Sequence, residues 1–201
     1  MERITYLEES SKGTNEMGLE AKFLSQRILF LNGEVNDDMA DAFVARMLHL
    51  MMESSESVTI ILDSPGGSVD AGLVIYDMIQ SCEGRIPIDI YCMGKAMSMG
   101  AVILSGGQKG RRYILPHSKC MIHEPLIQGG GGGSATSIKK TADKILETKA
   151  ITNGLLAKHT GRSIEEIDEA TSFDNFMNAE EAVRFGLCDE IRYYYGGESD
   201  V

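Results

Sequence analysis

One serine stands at the point where a strand leads into a helix. Ser98 lies in the run 93–104, where Gly94 follows an apolar strand predicted over 88–93 and small, apolar residues continue after the serine. Backbone N–H groups in a first helical turn lack partners within the helix, and the helix dipole favours negative charge there. A serine oxygen so placed can attack a carbonyl group, and the resulting oxyanion can be stabilised. The alternative is a small buried residue that lets a helix pack closely on a sheet.

A histidine and an aspartate supply the other groups that such a serine needs. His123 follows an apolar strand predicted over 120–122, which places it at the mouth of a site. The alternative is a hydrogen-bonded structural histidine. Asp174 lies between Phe173 and Phe176, and we expect these aromatic residues to anchor a loop that holds the carboxylate against an imidazole. A lone aspartate could equally form an Asx turn or a helix cap. Together the three provide a nucleophile, a base and an orienting carboxylate.

A glycine pair follows the preceding predicted strand. Gly66 and Gly67 come after the β-branched run 58–62 and lead into a helix, as Gly94 does. Sites of α/β folds lie in crevices outside the carboxyl ends of strands. A diglycine lets the backbone approach a ligand closely, although a plain tight turn is the alternative. The patterns G-x-x-x-x-G-K-[ST] and G-x-G-x-x-G do not occur, so we do not predict phosphate binding.

The elements around these residues alternate between strands and helices. Periodicity and turn signals predict strands over 27–32, 58–62, 88–93, 113–115 and 120–122, and helices over 36–52, 69–81 and 98–106. This order predicts an α/β fold that is built from repeated ββα units.

The second half of the chain contains a long predicted helix. Five consecutive glycines at 129–133 precede a helix predicted from 136 to 160, which Gly161 ends. A flexible glycine strip followed by a long helix with a polar far face is typical of an arm that reaches a partner subunit. Ser163 and Glu166 form a capping box for the next helix. A further helix is predicted over 178–185, and the tail 196–201 is predicted to be disordered.

Composition limits the classes of function. The chain has 201 residues, which suits one domain, and its net charge of −11 argues against a general nucleic-acid role. It contains no apolar run of membrane-spanning length, and its first residues lack the pattern of a signal peptide. The four cysteines show no CxxC spacing, so we predict reduced, structural thiols in a cytoplasmic protein.

Four motifs, in order along the chain, carry a resemblance to a known family. They are Ser64-Pro-Gly-Gly-Ser-Val69, Gly94-x-Ala-x-Ser-Met-Gly-Ala101, Arg112-x-x-x-Pro-x-x-x-Cys-Met-Ile-His-Glu-Pro125 and Asp174-Asn-Phe-Met-Asn-Ala-Glu-Glu-Ala182. From about residue 23 to residue 191 the chain resembles the ClpP family, the caseinolytic serine peptidases of ATP-dependent degradation machines.

The resemblance implies a role for each matching residue. Ser98 would be the nucleophile, His123 the general base and Asp174 the orienting carboxylate, while the backbone N–H groups of Gly67 and Met99 would form the oxyanion hole. It implies no metal and no cofactor. It also implies a ClpP/crotonase-like spiral of ββα units with a protruding handle helix, in a single peptidase domain.

The resemblance further implies an assembly and its partners. Heptameric rings would stack in pairs through the handle, at about 127–160, and enclose a chamber. An AAA+ unfoldase of the ClpX, ClpA or ClpC type would deliver unfolded polypeptide to it, with no role for nucleic acid or membrane. The domain limits that follow are an N-terminal segment or axial loop at 1–22, the peptidase domain at 23–195 and the tail at 196–201.

Departures from the family pattern leave a second hypothesis open. Ser172 and Phe173 replace a charged pair that links the two rings, and Thr59 and Ile61 replace tyrosines of the unfoldase-docking pocket. The alternative is therefore a weakly active or non-catalytic paralogue that serves as an accessory subunit of a mixed ring. Two minor alternatives are a crotonase-type acyl-CoA enzyme and a serine–lysine dyad that uses Lys95.

Overall fold

The fold is mixed α/β. The computed structural model describes residues 5–10, 13–126 and 133–193, with the side chains of 6–10 and 13–17 excepted. The strands are β1 (Thr5–Ser10), β2 (Gly13–Gly18), β3 (Ile28–Val35), β4 (Val58–Gly67), β5 (Ile88–Met97), β6 (Arg112–Ile114), β7 (Lys119–Ile122), β8 (Asn175–Asn178) and β9 (Glu190–Ile191). The helices are α1 (Leu19–Ser25), α2 (Asp37–Glu53), α3 (Val69–Ser81), α4 (Met99–Ser105), α5 (Ala135–Thr160), α6 (Ile164–Thr171) and α7 (Ala179–Phe185).

The strand β5 lies at the centre of the main sheet. Within the described residues, seven strands form this sheet, and its continuous path runs β3-β4-β5-β6-β9 with parallel pairing. One edge of β5 pairs with β4, while the other edge pairs first with β6 and then with β7. The strand β8 adds antiparallel to β7. Since β5 ends one residue before Ser98, the centre of the sheet leads directly to the predicted nucleophile.

Helices cover the sheet through apolar faces. In α2 the buried side chains are those of Ala40, Phe43, Met47 and Leu50, while Leu48 is 48% exposed. Every side chain of α4 is buried. The short helix that follows Ser98 is therefore part of the core, which fixes the position of its first turn.

Two strands extend further than the sequence predicts. The glycines at 66–67 and 94 were expected to end strands, yet β4 continues to Gly67 and β5 to Met97. The register between β4 and β5 shifts between Leu62 and Ser64, so the ladder absorbs an irregularity and then resumes. Pairing of 66–67 with β3, and of 95–97 with β7, keeps both glycine segments in the sheet.

The beginning of the described chain forms a hairpin that the sequence did not predict. The strands β1 and β2 pair antiparallel in register, from Thr5 opposite Gly18 to Ser10 opposite Gly13. No strand was predicted before residue 27, since residues 1–25 show no steady apolar periodicity. Backbone pairing does not require such a pattern, which explains why periodicity missed these strands.

The helix α5 has the predicted length and end. It spans 26 residues, begins at an N-cap formed by Ser134 and ends at Gly161, which has a left-handed φ of 78°. In α5, which is described throughout, the buried side chains are Thr152, Asn153 and Leu156. Its first half is thus exposed, as expected of an arm. Residues 129–132 of the glycine strip at 129–133 lie outside the described residues, as does the predicted tail at 196–201.

The four cysteines are free thiols, as the sequence predicts. All four cysteines are buried and free, and burial raises the pKa of Cys188 to about 12, which keeps this thiol protonated. Searching the described parts of the chain for a helix long and apolar enough to cross a membrane yields none.

Candidate active site

The predicted nucleophile lies on a strained turn between β5 and α4. Ser98 has φ 52° and ψ −123°, a backbone conformation that residues other than glycine rarely adopt. Its N–H donates to the carbonyl oxygen of Met121 at 2.8 Å, and its own carbonyl accepts from Ala101 at 2.9 Å. A sharp strand-to-helix turn of this kind projects a serine hydroxyl away from the backbone. The sequence predicted the position of this turn but not its conformation.

The diglycine segment packs directly against this turn. A Cβ on Gly66 would lie 2.6 Å from both the carbonyl oxygen of Met97 and the Cβ of Ser98, and 3.0 Å from the backbone nitrogen of Met99. A Cβ on Gly67 would collide with the carbonyl oxygen of Val35. Both glycines also have positive φ, of 91° and 151°. Glycine is therefore required for the backbone of 66–67 to run beside the first turn of α4.

Strand pairing brings together the segments that contain the histidine and the aspartate. In the antiparallel ladder between β7 and β8, Ile122 is opposite Asn175. Continuing that register by one residue sets His123 opposite Asp174. Because β7 also pairs with the end of β5, the same strand links the aspartate segment to the serine turn.

The three predicted side chains form a continuous hydrogen-bonded series. Nε2 of His123 lies 3.0 Å from Oγ of Ser98, and Nδ1 lies 3.1 Å from Oδ1 of Asp174. The tautomer with hydrogen on Nδ1 satisfies both contacts, since Nδ1–H donates to the carboxylate and Nε2 accepts from the hydroxyl. The side chain of His123 is 15% exposed, whereas that of Asp174 is 62% exposed. The arrangement can transfer a proton from the hydroxyl to the imidazole while the carboxylate orients the ring.

We expected two aromatic side chains to anchor the loop that contains Asp174, and in the single chain this prediction is wrong. Phe173 and Phe176 are 61% and 58% exposed, so their burial does not hold the loop. The pairing of β8 with β7 holds it instead, together with Nδ2 of Asn175, which donates to the carbonyl oxygen of Ala170 at 3.1 Å. The aromatic residues on either side of the aspartate suggested burial. Their actual environment depends on how the fold packs, which cannot be read from the sequence.

An apolar recess opens beside the serine hydroxyl. Its walls include Val69 at the start of α3, Val102 in α4 and Leu156 in α5, with Ile122 and Pro125 on either side of His123. The recess is small, about 20 Å³, and it places mainly apolar side chains next to the serine hydroxyl.

The described residues contain no cluster of side chains of the kind that binds a metal ion. Across residues 5–10, 13–126 and 133–193, no three His, Cys, Asp or Glu side chains are grouped so that they could hold a metal ion.

Two further residues at the site escaped the sequence analysis. Glu124, directly after His123, donates its backbone N–H to the carbonyl oxygen of Thr171 at 2.8 Å and accepts from Nζ of Lys149 at 2.8 Å. Lys149 belongs to the largely polar surface of α5, and nothing in its sequence neighbourhood distinguishes it from a solvated lysine.

The fold and the site together define an α/β protein with a serine, a histidine and an aspartate in hydrogen-bonded series. A family model described as Clp protease matches residues 11–194, nearly the whole chain. The chain therefore belongs to the Clp protease family and has its fold. Membership indicates a peptidase, a hydrolase, of a family that assembles as oligomers with Clp ATPases.

Proposed function

We propose that this chain is a serine endopeptidase that hydrolyses peptide bonds of unfolded proteins. The observation that supports this most directly is the series from Ser98 Oγ through His123 to Asp174, with contacts of 3.0 Å and 3.1 Å. In a protein of the Clp protease family, such a series suits acyl transfer through a serine nucleophile.

Each residue has one role in the proposed reaction. Oγ of Ser98 attacks the peptide carbonyl as its proton moves to Nε2 of His123, and Asp174 stabilises the imidazolium through Nδ1–H. The backbone N–H groups of Gly67 and Met99 stabilise the oxyanion. His123 then gives its proton to the leaving amine, and a water molecule releases the acyl group by the same route in reverse. No metal or cofactor takes part in this scheme.

The proposed assembly is a double heptameric ring that encloses the active sites. The exposed first half of α5 carries apolar side chains that suit contacts with another subunit, among them Ile138 and Leu146, which are 51% and 62% exposed. In this proposal an AAA+ unfoldase of the ClpX, ClpA or ClpC type supplies unfolded polypeptide, and the complex works in the cytoplasm. The domain limits 1–22, 23–195 and 196–201 belong to the same proposal.

A second candidate function is that of an accessory subunit in a mixed ring with a paralogue. The exposed Phe173 favours it, because an apolar side chain that is 61% exposed stands where the family pattern has part of the charged pair that links the two rings. In that case the chain alone would be weakly active or inactive, and a paralogue would restore activity.

One experiment separates the two candidates. Hydrolysis of a fluorogenic peptide is measured with the purified chain, with Ser98→Ala and with each mixed with a more usual ClpP, and masses are determined by light scattering. If the chain is an endopeptidase, it hydrolyses the peptide without a paralogue, its mass corresponds to seven or fourteen subunits, and Ser98→Ala is inactive. Activity that appears only with the paralogue supports the accessory role, and mixed rings that lose nothing with Ser98→Ala contradict the catalytic proposal.

A further inference from the structure

The residue after His123 is attached to the rest of the molecule at two points. The backbone N–H of Glu124 donates to the carbonyl oxygen of Thr171, the last residue of α6, at 2.8 Å. Its carboxylate Oε2 accepts from Nζ of Lys149, on α5, also at 2.8 Å. Residues 123–126 have no regular secondary structure, so these contacts restrain the histidine segment where the ladder of β7 has ended.

The same face of α5 also contacts the segment that leads to Asp174. Asn153 follows Lys149 by four residues, which places both side chains on one face of the helix. Nδ2 of Asn153 donates to Oδ1 of Asp168 at 2.6 Å and to Oγ1 of Thr171 at 3.1 Å. Asn153 and Thr171 are both buried.

These contacts form a closed cycle. It runs from Lys149 to Glu124, through the backbone of Glu124 to Thr171, and through Asn153 back to α5. The cycle includes the residue after the histidine and a residue three positions before the aspartate. The relative position of the two segments is therefore restrained by the ladder between β7 and β8, by the histidine–aspartate contact and by this cycle.

The cycle matters because the ladder ends at Ile122 and Asn175, and the histidine–aspartate contact beyond it is exposed to solvent. The carboxylate of Asp174 is 62% exposed, and an ion pair or hydrogen bond in that environment is worth little by itself. The ion pair of Glu124 and Lys149 is itself part-exposed, at 44% and 27%, but the cycle that contains it also includes Asn153 and Thr171, which are buried. The hydrogen bond to Glu124 raises the pKa of Lys149, as does the charge of Asp168, so the ammonium group stays charged.

We propose that Glu124 and Lys149 are positioning residues, whose ion pair holds His123 at the distance from Ser98 and Asp174 that proton transfer requires. The inference rests on the proposed function and adds two residues to it, neither of which takes part in the proton transfer. A displacement of the histidine by a fraction of an ångström weakens the general base and leaves in place the apolar side chains of α3 and α4 beside the serine. Loss of the pair thus lowers kcat and leaves KM nearly unchanged.

The test is a double-mutant cycle on peptide hydrolysis. Kinetics are measured for the wild type, Lys149→Met, Glu124→Gln and the double variant, on fractions of equal oligomeric mass. Each single change is expected to lower kcat about tenfold, less than the ~100-fold loss that a 1 Å misplacement can cause. The kcat of the double variant is expected to fall by about the same tenfold, because the two changes remove the same interaction. Lys149→Arg keeps the charge and is expected to stay within about threefold of the wild type.

A matched control is available in a second ion pair of similar geometry. NH1 of Arg111 lies 3.0 Å from Oδ1 of Asp89, across 22 positions of sequence, at a part-exposed site. Arg111→Met removes a pair that does not contact the histidine or aspartate segments, and it is expected to leave peptide kcat and KM unchanged.

Each outcome decides a different question. An inactive wild type that a serine-reactive fluorophosphonate does not label would overturn the proposed function, and this inference with it. A labelled, active wild type with unchanged kcat in Lys149→Met would overturn the inference alone. The inference also fails if the two single losses multiply in the double variant, or if Arg111→Met loses as much as Lys149→Met. Should Lys149→Met yield no folded oligomer, Glu124→Gln and Lys149→Arg decide the question, since both nearly preserve side-chain volume.

Discussion

The two halves of the candidate site are built in different ways. The serine lies between β5 and α4, and every side chain of α4 is buried. The histidine and the aspartate lie just beyond the ends of β7 and β8, where the aspartate is 62% exposed. The serine is therefore positioned by the core, whereas the histidine and the aspartate depend on strand register and a few polar contacts. We infer that the second half tolerates less disturbance in its surroundings and contributes less to the stability of the fold.

The largest expected difference is in stability. Ile103, in α4, is fully buried, and Ile103→Ala is expected to lower the free energy of unfolding by about 2–5 kcal/mol. Phe173→Ala, beside Asp174, removes a larger but exposed side chain and is expected to change it by no more than about 0.5 kcal/mol. Urea unfolding measures both. A greater loss for Phe173→Ala would show that the aspartate loop is buried in the assembled protein.

The next largest effect is kinetic and concerns the exposed carboxylate. Asp174→Asn preserves the side-chain shape but no longer favours the required tautomer of His123. A loss of ~10⁴-fold in kcat is typical of a buried triad aspartate. Because solvent already screens Asp174, we expect a loss of about 100-fold in peptide hydrolysis. A wild-type rate would contradict its orienting role, and a loss near 10⁴-fold would show that the carboxylate is shielded during catalysis.

A smaller effect is expected where the diglycine segment contacts the serine turn. In Gly66→Ala the new Cβ would lie 2.6 Å from Met97 and Ser98, at a φ of 91°, so the backbone must shift. We expect a loss of about tenfold in kcat and a destabilisation of about 1–3 kcal/mol. Gly84→Ala is the control, since Gly84 has a φ of 72° but open space around it. Equal kinetic losses in both variants would show that strain, not contact with the serine turn, lowers the rate.

The smallest effect is a pH dependence at the end of α5, the helix that supports the second half. Nε2 of His159 lies 2.7 Å from the hydroxyl of Tyr76 on α3. Burial lowers the pKa of His159 from 6.5 to about 4, and the charges of Lys158 and Arg112 act in the same direction. Between these values the unfolded chain binds a proton that the folded chain does not, so stability falls as pH falls from about 6.5 to about 4.

This contribution can be isolated with His159→Gln. The urea midpoint of the wild type is expected to drop more between pH 7 and pH 5 than that of the variant, which has no proton to bind at this position. An identical drop in both proteins would mean that other groups carry the pH dependence.

The same contrast explains what the sequence could predict. The buried β-branched run in β4 and the apolar spacing in α3 are local patterns, and both elements begin where these patterns predicted. The capping box of Ser163 with Glu166 is equally local and is present. The exposed phenylalanines and the continuation of β5 through Gly94 depend on neighbouring strands, which a local pattern does not contain.

The candidate site shows the same division. The position of Ser98 at a strand-to-helix turn follows from nearby residues, but its positive φ does not. The contact between His123 and Asp174, 51 positions apart, was predicted from the residue types and from the family motifs, because no local pattern joins residues so far apart. Glu124 lies within the third motif, but Lys149 lies outside all four, so the sequence gives no indication of their ion pair.

The most direct test of the account is the reaction of the assembled protein with a fluorophosphonate, followed by peptide mapping and by the rate of labelling. We predict one adduct, on Ser98. It is expected to form at least about 100-fold more slowly in His123→Ala, because the base that activates the hydroxyl is gone. An adduct on another residue, or equal labelling rates in the wild type and His123→Ala, would contradict it.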